Sequence, residues 1–293
     1  MPGVCASSKG GTINISTLLA AEREAFNVYL ADRLHRFDEL SEPFRQACCY
    51  SLALDGKRIR PILALWAGDL AGAPRERVLP IALALECIHT ASLIHDDLPA
   101  MDDDVERRGK PTNHVVFGEA NAILAGDALI VEPFALLADP LPGLDPRQQL
   151  RILKELAETI GPRGLLDGQA MDLNVRPEDY HQTYLETMHH KKTGLLIRCS
   201  LLLGALAGDL EEDGLVGLAR YGEGIGLAFQ IRDDLLDWPE EGDKLTFPAL
   251  YGPDRAKALA EHCLEDALAA LDRFGERASR LKALAHYLNA RTH

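Results

Sequence analysis

The chain has 293 residues, a formal net charge of −14 and 47% hydrophobic residues. That acidity argues against a general binder of nucleic acid or anionic membrane, because the long-range field repels polyanions; any phosphate must be held by local Arg and Lys clusters. The cysteines form no CxxC pair, the start MPGVCASSKGGTINIST has no charged-then-apolar leader, and no run approaches about 18 uninterrupted apolar residues, so reduced thiols, a cytoplasmic setting and no membrane span are expected.

Residues 1–16 are expected to be a disordered N-terminal segment. Beyond them apolar residues recur at helical spacing in LLAAEREAFNVYLADRL, PFRQACCYSLAL, RVLPIALALECIHTASLIHDD, ANAILAGDALIVEPFALLA, QQLRILKELAETI, LLIRCSLLLGALAG, LVGLARYGEGIGLAFQIRDDLLDW and DRAKALAEHCLEDALAALDRF. No alternating strand pattern stands out. Breaks at SEP, AGAPRE, DPLPGLDP, GPRG and WPEEGD carry the residues that end one helix and start the next, and all are too short for interdomain linkers. The expectation is one all-α domain over residues 1–293, with roughly ten or more mostly antiparallel helices. Cys48 and Cys49 have no ligand at metal spacing and read as helix-packing residues.

Two acidic clusters answer each other along the chain. Asp96, Asp97, Asp102, Asp103 and Asp104 follow a strongly apolar helix, with Pro99 disfavouring helical geometry at Leu98. Carboxylates at a helix C-terminus lie against the macrodipole, so a cation must offset them. Asp233, Asp234 and Asp237 of RDDLLD lie on a helix, where positions i and i+4 share a face. A solvated acidic face explains one such cluster; two carboxylate faces across a cavity suit Mg²⁺, which takes one or two carboxylates and keeps other positions for water and phosphate. His89 lies seven residues before Asp96, two helical turns away on nearly the same face.

The segments DDLPAMDDDVERRGKPTNH and FQIRDDLLD, with DGKRIRP, ECIHTASLIHDD, GQAMDL, HHKKTGLLIR and DKLTFPALYG in order, resemble the trans-isoprenyl diphosphate synthases, close to the bacterial farnesyl and geranylgeranyl diphosphate synthases. The resemblance spans about residues 40 to 255. It implies a helical bundle around a central cavity and condensation of isopentenyl diphosphate with an allylic diphosphate (dimethylallyl, geranyl or farnesyl). Lys57, Arg60, His89 and Arg108 would bind the isopentenyl diphosphate without metal, with Gly56 beside them either in that site or marking a helix start. Arg107, Lys192 and Lys244 would bind the metal-chelated allylic diphosphate. Three Mg²⁺ ions are implied, held largely through Asp96 and Asp102 on one side and Asp233 on the other, with Asp97 and Asp237 in the same motifs. Thr193 and Gln230 offer uncharged oxygens that would stabilise the allylic cation without capturing it, and Gln169 and Asp172 would support the site. Metal charge should keep these aspartates ionised. A homodimer is implied.

A class I terpene cyclase would share the aspartates and Mg²⁺ but not a second, metal-free diphosphate site; a non-catalytic partner subunit would usually have lost aspartates. One departure from the family is the short stretch WPEEGD between Asp237 and Lys244, which weakens the role of Lys244. Product length is expected to depend on Ala91 and Ser92, five and four residues before Asp96, where farnesyl synthases typically carry a bulky ring. Small side chains there favour a twenty-carbon over a fifteen-carbon product, with Cys87 and Ile88 as the next floor one turn back.

Overall fold

The structure is a computed structural model that describes residues 14–179, 181–238 and 245–290. Asn14 caps α1 (Ile15–Arg33) by accepting the Thr17 N–H at 3.1 Å, so the first helix begins inside the segment expected to be disordered. Then follow α2 (Phe44–Ala53), α3 (Ile59–Leu70), α4 (Arg75–Asp96), α5 (Asn113–Phe117), α6 (Glu119–Ala138), α7 (Pro146–Ile160), α8 (Leu165–Leu173) and α9 (Gln182–His189). A π-helical turn, His190–Gly194, leads from α9 into α10 (Leu195–Leu206). The chain continues through α11 (Glu212–Asp237), α12 (Phe247–Tyr251), α13 (Pro253–Ala270) and α14 (Ser279–Asn289).

The punctuation residues act as expected. Pro43 immediately precedes α2, Gly72 takes φ 74° between α3 and α4, and Asp145 caps α7 through the Arg147 N–H at 2.8 Å with Pro146 as the first helical residue. One small element departs from the all-helical expectation. Strands β1 (Glu106–Arg107) and β2 (Lys110–Pro111) form an antiparallel hairpin inside the RRGK segment. Its two central residues, Arg108 (φ 56°) and Gly109 (φ 72°), both adopt the left-handed conformation that tight two-residue hairpin turns require. Two-residue strands are too short to leave an alternating pattern.

Helices α3, α4 and α10 are apolar on most faces and pack on one another, with α6, α7, α11 and α13 around them. The main apolar core extends from Leu19 to Leu288 and draws on α1 and α14 alike; a smaller cluster forms around Leu185, Ile231 and Phe247. By length and composition alone, α4 and α6 are apolar enough to cross a membrane. Most of α4 is buried within the bundle, whereas α6 leaves Ile123, Leu124 and Val131 exposed.

Candidate active site

A cavity of about 810 Å³ opens beside the C-terminal half of α4, bounded by the 55–60 turn, α8, the π turn, α11 and the end of α14. Gly56, Lys57, Arg58, Arg60, His89 and Arg108 are on its lining, with Asp55 and Glu86 among them. Asp96, Arg107, Lys192, Thr193, Gln230 and Asp233 line it too. The spacing of His89 and Asp96 therefore places both on the cavity face of α4.

The basic group is held by two residues that spacing does not single out. Arg58 is buried and left-handed (φ 50°), and it donates to Asn27 Oδ1 at 2.9 Å, to the carbonyls of Leu52 and Leu54 at 2.9 and 2.8 Å, and to Glu86 Oε1 at 2.5 Å. This anchor fixes the turn from which Lys57 and Arg60 enter the cavity. Arg60 is buried enough that desolvation lowers its pKa to about 10, and its Nε has no hydrogen-bond partner. Burial, and then the nearby Arg60, Arg108, Arg107 and Arg58, push the His89 imidazole well below its usual range, so it stands neutral. Arg108 donates to Asp55 O at 3.1 Å. A Cβ at Gly56 would fall 2.6 Å from Arg108 Nη1, so Gly56 makes room for that guanidinium; it precedes the helix start at Ile59 by three residues.

The acidic group forms where α4 ends. The chain reverses after Asp97, and the Asp102 N–H donates to Asp96 O at 2.9 Å, bringing the two ends of the motif together. Burial, with the Asp102 and Asp97 charges against the opposing Lys192 and Arg107, raises the Asp96 pKa to about 6. Without a cation, burial thus outweighs the basic neighbours, and a divalent ion is what would hold Asp96 ionised. Asp97 is buried and does not line the cavity; Arg107 donates to it at 2.5 Å and to Asp104 at 3.0 Å. Asp102 and Asp237 are exposed and lie outside the cavity lining, Asp237 at the last residue of α11. Lys244 and most of the short WPEEGD stretch lie outside the described residues.

Lys192 is hydrogen-bonded to Asp172, and Lys191 to Asp167, so α8 steers both lysines of the π turn. A Cβ at Gly168 would fall 2.3 Å from Lys192 N, and this glycine permits the close approach. Gln169 lines the cavity. On α11, Asp233 lines the cavity while the neighbouring Asp234 is buried and accepts the Phe247 N–H at 2.9 Å. Ser92 lines the cavity and donates to His89 O at 2.9 Å, whereas Ala91 is fully buried and outside it.

Among the described residues no group of three or more His, Cys, Asp or Glu side chains is assembled as a finished metal cage. Asp96 and Asp233 on the lining would suit Mg²⁺, which binds through one or two carboxylates and completes its shell with water and substrate phosphate. The crowded, desolvated Asp96 carboxylate supplies the matching electrostatic demand for a cation.

An all-α bundle whose one cavity gathers helix-borne aspartates with several arginines and lysines is suited to handling diphosphates. The polyprenyl synthetase family model matches residues 41–250. Farnesyl diphosphate synthase of Escherichia coli (strain K12) is 43% identical over 264 residues, covering 84% of this chain and 88% of the relative. The chloroplastic geranylgeranyl pyrophosphate synthase 7 of Arabidopsis thaliana is 42% identical over 271 residues, 86% of this chain and 78% of the relative. The crystal structure of an FPP/GFPP synthase from Zymomonas mobilis superposes with a TM-score of 0.85 at 35% identity, covering 94% of this chain and 99% of that one. The chain belongs to the polyprenyl synthetase family, and it is a short-chain trans-prenyltransferase of the polyprenyl diphosphate synthase class.

Proposed function

We propose that this enzyme condenses isopentenyl diphosphate with an allylic diphosphate, dimethylallyl, geranyl or farnesyl, and releases pyrophosphate and a product five carbons longer. The observation that carries this is the presence in one cavity of two charge groups, one around Asp96 and Asp233 with Lys192 and Arg107, the other rich in cations around Lys57, Arg60 and Arg108, with neutral His89 among them and Glu86 nearby. A cyclase needs only the first. The second gives a diphosphate a metal-free seat, with Arg60 and Arg108 as forked donors and neutral His89 as a single donor.

In this assignment Asp96 and Asp233 on the cavity lining flank the allylic diphosphate, with Asp102, exposed beside Asp96, as a further ligand. Mg²⁺, proposed as three ions, would be held by these aspartates and would offset the charge that builds on the departing diphosphate. Lys192 and Arg107 add fixed positive charge at the same oxygens, with Lys244 proposed as a further contact. Thr193 and Gln230 offer oxygens to the allylic cation. The apolar wall of Leu93, Ile197, Ile225 and Phe229 keeps water from it. Among the described residues no side chain stands as a base, so the proton released on closing the new double bond would leave on pyrophosphate.

For product length we propose twenty carbons over fifteen, with Ser92 as the small residue on the cavity lining and Ala91 packed behind it. A homodimer is proposed as well, through the exposed apolar side chains Val115, Val116, Ile123, Leu124 and Val131 of α5 and α6. The deciding experiment is incubation with isopentenyl diphosphate, Mg²⁺ and allylic starters of five, ten and fifteen carbons separately, followed by product sizing. Condensation products that grow by five carbons support the reaction; cyclised hydrocarbon, or no consumption of isopentenyl diphosphate, would overturn it.

A further inference from the structure

His189 is the last residue of α9, directly before the π turn, and the proposed chemistry gives it no part. It is nonetheless tightly placed. The ring is 8% exposed and stacks on Phe247 with centroids 5.5 Å apart and an interplanar angle of 21°. Its Nδ1 lies 3.3 Å from the Gln230 side-chain amide, and its Nε2 lies 3.8 Å from Asp234 Oδ2 with no hydrogen-bond partner of its own. The same Asp234 oxygen is fixed by the Phe247 N–H, so the aspartate, the aromatic ring and the imidazole form one packed unit behind the cavity wall.

We infer that Asp234 and His189 together set which end of the Gln230 amide faces the cavity, making His189 a positioning residue for cation stabilisation. The inference rests on the proposed role of Gln230. A neutral imidazole carries one N–H, and it belongs on the nitrogen that faces a carboxylate, because a lone pair there would meet negative charge. Nε2 faces Asp234, so Nε2 holds the proton and Nδ1 is left as an acceptor. The only amide atom that can satisfy an acceptor is Nε2–H of Gln230. Its carbonyl oxygen is then directed to the other side, where Gln230 lines the cavity. The opposite amide orientation would set oxygen against the Nδ1 lone pair and present the positive NH₂ end to a developing cation. Burial independently keeps the ring neutral, lowering its pKa to about 4.

The test begins with the wild-type protein labelled with ¹⁵N-histidine, with the His189 resonances assigned from the spectrum of His189→Asn. The expected result is an unprotonated, pyridine-like Nδ1 and a protonated Nε2 at neutral pH; a protonated Nδ1 would overturn the inference, and this readout needs no folded leucine variant. Kinetics supply the second arm. Replacing His189 with Leu should lower kcat about tenfold, below the roughly hundredfold scale for removing a stabilising group itself, with both KM values within about twofold. His189→Asn, whose Oδ1 can accept the same N–H, should recover to within about threefold. In a Gln230→Leu background, His189→Leu should have no further effect on kcat, because His189 acts only through Gln230. Additive losses, or equal losses in the Asn and Leu variants, would refute it. A wild-type enzyme that condenses nothing would instead sink the proposed reaction while leaving the tautomer as measured.

Discussion

Replacing Glu86 with Leu should destabilise the protein and loosen the isopentenyl diphosphate seat selectively. Arg58 and Glu86 are 4% and 2% exposed and paired at 2.5 Å, so the variant leaves a buried guanidinium without its counter-charge. Breaking a buried pair from one side costs about 3–5 kcal/mol. With an unfolding entropy of about 2.1 cal/mol/K per residue, a chain of 293 residues has about 0.6 kcal/mol/K, so the melting temperature should fall by roughly 5–8 °C. Glu86 Oε2 is buried without a hydrogen-bond partner, so the carboxylate is itself incompletely satisfied. Removing both charges, as in Arg58→Met with Glu86→Leu, should therefore recover the part of the loss owed to the unpaired guanidinium, though not the part owed to the Leu52 and Leu54 carbonyls that Arg58 also satisfies. Arg58 also holds Asn27 and the Leu52 and Leu54 carbonyls, which keeps Lys57 and Arg60 aimed at the cavity. In the single variant, KM for isopentenyl diphosphate should rise about tenfold while the allylic KM stays within about twofold. Calorimetry and steady-state kinetics check both. A melting temperature within about 1 °C of wild type, or a double variant as unstable as the single one, would refute the pairing as the source of stability.

Changing Asp96 or Asp233 to Ala should each lower turnover at least about a hundredfold, the scale for losing electrostatic transition-state stabilisation, and a chelator should abolish activity; wild-type rates under chelation would refute metal dependence. Arg108→Ala should chiefly raise KM for isopentenyl diphosphate and Arg107→Ala chiefly that for the allylic partner, and equal effects on both would remove the two-seat assignment. Ala91→Phe should shorten the product by about one isoprene unit, because Ala91 is fully buried behind the lining and an added ring, costing on the order of 1–3 kcal/mol in a packed position, would push the wall beside Ser92 into the cavity; chromatographic product sizing that shows no change would refute that path for the tail. Sedimentation should show a dimer, and a lone species near 32.1 kDa would refute it.

Helical spacing made most of the bundle and much of the cavity legible. His89 and Asp96 share a face because seven residues make nearly two turns, and both line the cavity. Pro43, Gly72 and Asp145 stop or start helices for reasons of backbone conformation that any sequence displays. The same spacing rule cannot assign adjacent basic residues outside regular helix. Lys57, Arg58 and Arg60 look alike in DGKRIRP and all border the cavity, yet a left-handed Arg58, a conformation no arginine advertises, turns one guanidinium inward onto Glu86 and the Leu52 and Leu54 carbonyls.

The aspartate motifs divide in a similar way. Asp96 and Asp97 are neighbours at the end of α4, where about 100° of helical rotation separates their side chains. One therefore reaches the cavity while the other meets Arg107, ten residues later across a hairpin whose two-residue strands carry no sequence period. Asp233 and Asp234 repeat the pattern on α11, with Asp234 turned to Phe247 and His189. Each motif thus supplies one carboxylate for the cavity and one for the scaffold behind it. The scaffold carboxylates contact Arg107 and His189, and these in turn lie against the allylic diphosphate and Gln230 in the proposed mechanism. In that mechanism the paired aspartates have a physical reason beyond metal affinity: the second member would fix the direction of a group that acts on the substrate held by the first.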